Sequence, residues 1–173
     1  MSRWEIPEIS DLIVRYDPQT LQRLPVSREE VLGLCHSAYA RSIVQNIAHH
    51  DGILDPQAVD AMLVQAHEEL QRLWEEFFHG PRLAQILQAM VTALRRIGIT
   101  RRLRIVDVGC GPGFALRWLS AHNILQDQVD WVGVDYNAAL IARAKQLAAK
   151  ERLNVQFLVA NAFQLQEKAD VFL

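Results

Sequence analysis

Apolar residues in this chain keep two different periods. Between Ser27 and Ile97 they recur at helical intervals, and from Leu103 onward they gather into short β-branched runs between turns. In the first region Val31, Leu34, Cys35, Ala38, Tyr39, Ile43 and Ile47 predict one helix, opened by a capping box of Ser27 with Glu30 and ended by Gly52. His49, His50 and Asp51 adjoin one another at the end of that helix, where imidazole charge complements the backbone carbonyls. Asp55 before Pro56 opens a second helix, with Val59, Met62, Leu63, Ala66, Leu70, Leu73, Trp74 and Phe77 as its apolar stripe. Trp74, Phe77 and Phe78 are expected to pack as core between helices, a lid over a substrate pocket being the alternative. His67 and His79 are expected on the surface of this second helix. Gly80-Pro81 breaks the pattern, and a third stripe runs through Leu83, Ile86, Leu87, Met90, Val91, Leu94 and Ile97 to Gly98. Met1 to Pro25, with prolines at 7, 18 and 25, predicts no element.

The second region alternates strands and helices. Arg104 to Val108, Trp131 to Val134, Val155 to Val159 and Ala169 to Leu173 read as strands. Phe114 to Ser120 and Asn137 to Lys150 read as the helices between the first three, with Asn137 as the cap of the longer one. Strand-helix-strand spacing implies parallel strands joined by right-handed crossovers. The expected class is therefore α/β: an α-helical region over 1–100, then a partial parallel sheet of the first three to four strands over 101–173.

Composition narrows the context. The chain has 173 residues, half of them apolar, and a formal net charge of -2, so no overall positive field draws it to nucleic acid. Arg95-Arg96 and Arg101, Arg102 and Arg104 are read as charge flanking a helix end and a strand start. Met1 to Tyr16 contains Glu5, Glu8 and Asp11 and lacks the apolar run of a secretory signal. No stretch approaches the roughly 18 apolar residues that span a bilayer. Cys35 and Cys110 are the only cysteines and stand far apart, which argues against a disulfide framework and for a cytoplasmic location. The histidines lack further ligands at metal-binding spacing, so no metal is expected.

The chemistry concentrates in Asp107-Val108-Gly109-Cys110-Gly111-Pro112-Gly113-Phe114, a glycine loop that follows a strand and opens a helix. Missing side chains let a ligand lie against the backbone. Dinucleotide sites favour G-x-G-x-x-G, but here Phe114 takes the place of that last glycine. An acid two residues before Gly109 would repel a pyrophosphate and can pair with an ammonium group. Asp135 ends the second strand roughly 22 residues beyond the loop, where an acid can accept from ribose hydroxyls. Tyr136 could pack on an adenine face, and Asn161 with Ala162 falls where a loop flanks the adenine edge. Cys110 is read as a small filler.

Asp107 through Gly113, Asp135 and Asn161-Ala162 together resemble the successive motifs of class I (Rossmann-like) S-adenosylmethionine-dependent methyltransferases, over roughly Arg101 to Leu173. The resemblance implies S-adenosylmethionine as cofactor. Asp107 would hold the methionine amine, Gly109, Cys110, Gly111 and Gly113 would line the methionine moiety, Asp135 the ribose, and Asn161 the adenine amino group. Many relatives carry aspartate where Asn161 stands, but an amide oxygen can accept the same bond.

The same resemblance implies a seven-stranded sheet, of which this sequence reaches only the fourth strand, with the substrate loop beyond it. Catalytic residues are therefore unassigned. A truncated domain, or a second copy completing the sheet as a homodimer, is the expectation, since uncovered strand edges invite pairing. A small molecule is the expected methyl acceptor. Two rival functions remain: a catalytically silent cofactor-binding or assembly module needing a partner chain, and an aminopropyl transferase using a decarboxylated relative of the cofactor.

Overall fold

The computed structural model describes residues 12–165 and 168–173. Glu5, Glu8 and Asp11 lie outside that range. The chain divides into two compact units, one through Leu63 and one over Val64–Leu173.

In the first unit the predicted single helix is two. Helix α1, Arg28–Leu34, is capped by the Ser27 hydroxyl, which accepts the Glu30 N–H. Helix α2, Ala38–Asn46, is capped by Ser37, which accepts the Ala40 N–H at 3.0 Å. A second N-cap residue inside the apolar stripe thus restarts the helix instead of continuing it. The capping box is half made, because the Glu30 carboxylate pairs with Arg15. His49 and His50 do not end a helix. They form strand β1, His49–His50, paired antiparallel with β2, Ile53–Leu54. Asp51 and Gly52 between them both have positive φ, 49° and 77°, the requirement of a two-residue hairpin turn of the Asp-Gly kind. Val26, Val31, Cys35, Val44, Ile47, Leu54, Val59 and Leu63 close a core within this unit.

Helix α3, Pro56–Glu76, begins where expected, with the Asp55 carboxylate accepting the Gln57 N–H at 2.9 Å. Its residues through Leu63 count with the first unit and the rest with the second. Helix α4, His79–Arg96, contains Gly80-Pro81 in its first turn, where a missing N–H is harmless. The break falls earlier, at Phe78, with φ 53°. Gly80 is glycine because a Cβ there would lie 2.4 Å from the Trp118 ring.

The second unit holds the sheet. Its strands are β3, Leu103–Val108; β4, Val129–Asp135; β5, Gln156–Val159; and β6, Val171–Phe172. They are parallel, as expected, and ordered β5-β4-β3-β6, so the fourth strand lies beside the first. Helices α5, Phe114–Ala121, and α6, Ala138–Glu151, join the first three strands. Two right-handed crossovers stepping in one direction place both helices on one face. There Leu116, Leu119, Ile141, Ala144 and Ala148 bury Leu103, Ile105, Val129 and Trp131, with Leu87 and Val91 of α4. The connection to β6 steps the other way, and Leu165 and Ala169 pack on the opposite face against Val106, Val132 and Val134. Among the described residues no helix is long and apolar enough to cross a membrane.

Three of the clustered arginines are tied down. Arg95 donates to the carbonyls of Ile99 and Arg101, Arg101 pairs with Asp170, and Arg102 with Asp130.

Gly113 has φ 72°, and a Cβ on it would lie 2.4 Å from the buried Phe157 ring. Gly113→Ala is therefore expected to destabilise the chain by about 2–4 kcal/mol, backbone strain and overpacking adding together. Urea denaturation of the variant against the parent checks this; an unchanged midpoint would refute the packing argument.

Candidate functional site

Sequence register brings the chemistry to one end of the sheet. Asp107 pairs across the ladder with Gly133, and Val108 with Val134, so Asp135 lies one pleat further along on the same face as Asp107. Both acids thus stand at the carboxyl ends of adjacent strands, beside the point where strand order reverses between β3 and β6.

The glycine loop is folded by the end of β4. The Val134 carbonyl accepts the N–H groups of Gly109 at 2.8 Å and Cys110 at 3.0 Å. Asp135 is buried, and its two oxygens accept from Gly111 N–H at 3.0 Å and from Asn137 N–H at 2.8 Å. Asn137 caps α6 as expected, its side chain accepting from Ala139 and Leu140. Gly109 and Gly111 take positive φ, 75° and 52°, and nothing lies within 4 Å of a Cβ built on Gly109. That glycine faces open space.

Asp107 has a different environment. Burial, with the Asp135 charge adding to it, pushes its carboxyl up to about 6. Two acids therefore share the site, and no basic side chain among the described residues offsets Asp107. Such a pair is complementary to a cation.

Cys110 is buried in the core cluster and a Cβ on Gly133 would lie 2.8 Å from its sulfur. Burial and the two acids push its thiol well above the usual range, which fits an inert filler. Asn161 starts the turn Ala162–Gln164, its side chain accepting the Phe163 N–H at 3.0 Å. Tyr136, Ala162 and Phe163 are exposed beside the ends of β4 and β5.

Two expectations are corrected. Trp74, Phe77 and Phe78 are not core; they are 41%, 66% and 67% exposed. His67 is not on the outer surface: with Leu70, Gln71 and Trp74 it lines a cavity of about 180 Å³ whose other wall is Gly109 to Pro112 and Phe114. The reason is polar anchoring. Glu68 pairs with Arg143 of α6, and the Gln71 carbonyl accepts from Arg117 of α5 at 3.0 Å, which turns the His67-Gln71-Trp74 side of α3 toward the loop. The Trp74 ring lies 5.9 Å from that of Phe114.

Arg117 went unnoticed in the sequence. It is buried, donates to the Pro112 carbonyl at 3.2 Å and pairs with Glu151, bracing the loop from behind. Its only signal was a charge between the apolar residues Leu116 and Leu119.

The segment 105–172 matches the family model of a methyltransferase domain. Over that span the chain has the sequence pattern of a methyltransferase domain. Asp107, the glycine loop, Asp135 and Asn161 all fall inside it. No curated protein matches the chain by sequence. Among solved structures, it is similar to an S-adenosylmethionine-dependent methyltransferase from Aquifex aeolicus, at 22% identity over 48% of this chain and 45% of that one, with a TM-score of 0.37. It is also similar to the YcgJ protein from Bacillus subtilis, at 20% identity over 49% and 36% with a TM-score of 0.35. A third is TehB from Haemophilus influenzae, at 28% identity over 49% and 28% with a TM-score of 0.34. The chain spans less than half the length of each.

The raised carboxyl of Asp107 has a measurable sign. The folded chain holds that proton more tightly than the unfolded one, so this group stabilises the ligand-free fold below about 4, and the contribution is lost as pH rises through about 6. Asp107→Asn should raise ligand-free stability at pH 8 by about 1–3 kcal/mol and remove this part of the pH slope. Urea denaturation from pH 4 to 8 checks it; parallel slopes for both proteins would count against a strained acid.

Proposed function

We propose that this methyltransferase-domain chain binds S-adenosylmethionine at the glycine loop and serves transfer of its methyl group to a small-molecule acceptor. The observation that carries the reading is the pair of acids, Asp107 and Asp135, at adjacent strand ends, with no basic side chain among the described residues offsetting Asp107. A dinucleotide would bring its pyrophosphate against that pair. A sulfonium nucleoside with an ammonium group brings positive charge instead.

The residues present fit that ligand. Asp107 would hold the methionine amine, and its ionised form is the one the amine favours. Gly109, with nothing in front of it, gives the methionine moiety backbone to lie on, and Cys110, Gly111 and Gly113 shape the loop around it. Asp135 would take the ribose hydroxyls: a carboxylate has about four acceptor positions, and Gly111 and Asn137 use two. Tyr136 would cover the adenine face, with Asn161 and Ala162 at its edge. When bound, the cofactor supplies a methyl group activated by positively charged sulfur. The chain's own contribution is to hold the donor in one orientation, so that an acceptor meets it as a near-unimolecular partner.

The small-molecule acceptor is supported by the arginines. Those at 95, 101 and 102 are engaged with carbonyls or carboxylates, and the formal net charge of -2 gives no overall positive field suited to nucleic acid.

Isothermal titration is expected to show binding of S-adenosylmethionine and none of NAD. Asp135→Ala should lower affinity about a hundredfold, since it removes both the ribose acceptor and the bonds that shape the loop. Binding of NAD by the parent, or unchanged donor affinity in the variant, would overturn the reading.

A further inference from the structure

We propose that His67, on α3 and outside the matched segment 105–172, donates a ring N–H to the carboxylate at the methionine end of the cofactor. The inference rests on the cofactor reading above and adds a binding residue to it.

The cavity beside the glycine loop is walled by His67, Leu70, Gln71 and Trp74 on one side and by Gly109 to Pro112 with Phe114 on the other. His67 is the one lining side chain that can carry positive charge. Its ring touches the loop: a Cβ on Gly111 would lie 3.2 Å from Cδ2 and 3.7 Å from Nε2. Gln71 is committed elsewhere, its carbonyl accepting from Arg117 and its amide donating to Glu75 at 2.9 Å.

Charge supplies the direction. The methionine end of the cofactor is a zwitterion. Asp107 and Asp135 attract its ammonium group and repel its carboxylate, which must turn from them toward a donor. In the cavity that starts at Gly109, two residues beyond Asp107, the imidazole is the lining donor that can meet a carboxylate with opposite charge, which the neutral indole of Trp74 cannot. Its position is held from the same helix, because Glu68 pairs with Arg143 and Gln71 with Arg117. A donor fixed before the ligand arrives loses less entropy on binding.

The test compares S-adenosylmethionine with its decarboxylated form by isothermal titration. The parent should prefer the carboxylated ligand about tenfold, as expected of one charge-assisted hydrogen bond. His67→Phe, which keeps the ring volume without a donor, should lose that preference by weakening S-adenosylmethionine alone. His67→Gln, which restores an N–H, should recover part of it. Equal binding of both ligands by the parent, or equal weakening of both by His67→Phe, overturns the proposal while leaving the cofactor reading intact. Failure of the parent to bind either ligand overturns both.

Discussion

Asp135 holds two loops at once. One oxygen takes the Gly111 N–H from the turn after β3, and the other takes the Asn137 N–H from the turn after β4. Each bond joins a buried carboxylate to a backbone donor, a class worth about 1.5–3 kcal/mol. The Val134 carbonyl, one residue earlier, takes two more N–H groups from the same glycine loop. The shape of the loop is therefore set by the end of the neighbouring strand. Parallel register does the rest, since the pairing of Asp107 with Gly133 puts the two acids on one face, which a slip of one residue would undo.

That arrangement costs stability where it offers function. A half-buried Asp107 facing another acid is an unfavourable feature of an empty fold, and no core residue gains from it. A ligand bringing positive charge converts the repulsion into attraction. A half-buried acid held beside another acid is the kind of perturbed group that clusters at binding sites.

The strands, the loop and the Asn137 cap were legible in the sequence because each has a local cause: β-branched runs, glycines at positive φ, and a side chain that accepts from the next turn. The first unit was less legible. Asp51-Gly52 is a strong hairpin turn, but its strands are only two residues each, too short for an alternating pattern to register. Ser37 could have been read as a cap, yet the apolar period passes through it unbroken. The orientation of α3 was hidden for another reason. Its apolar stripe suggested burial of Leu70, Leu73 and Phe77, whereas ion pairs and amide bonds to Arg117 and Arg143 decide which side meets the loop. Those partners lie 46 and 75 residues away, beyond any local pattern.

The three loop glycines are glycine for three different reasons, and the difference tells where a ligand can enter. Gly113 leaves room for the Phe157 ring, and Gly111 for His67; both spaces are filled by the protein itself. Only the space in front of Gly109 is empty. A ligand lying on this loop therefore has room at Gly109, nearest in the chain to Asp107. The open glycine and the half-buried acid thus fall two residues apart in the chain, one a steric observation and the other an electrostatic one.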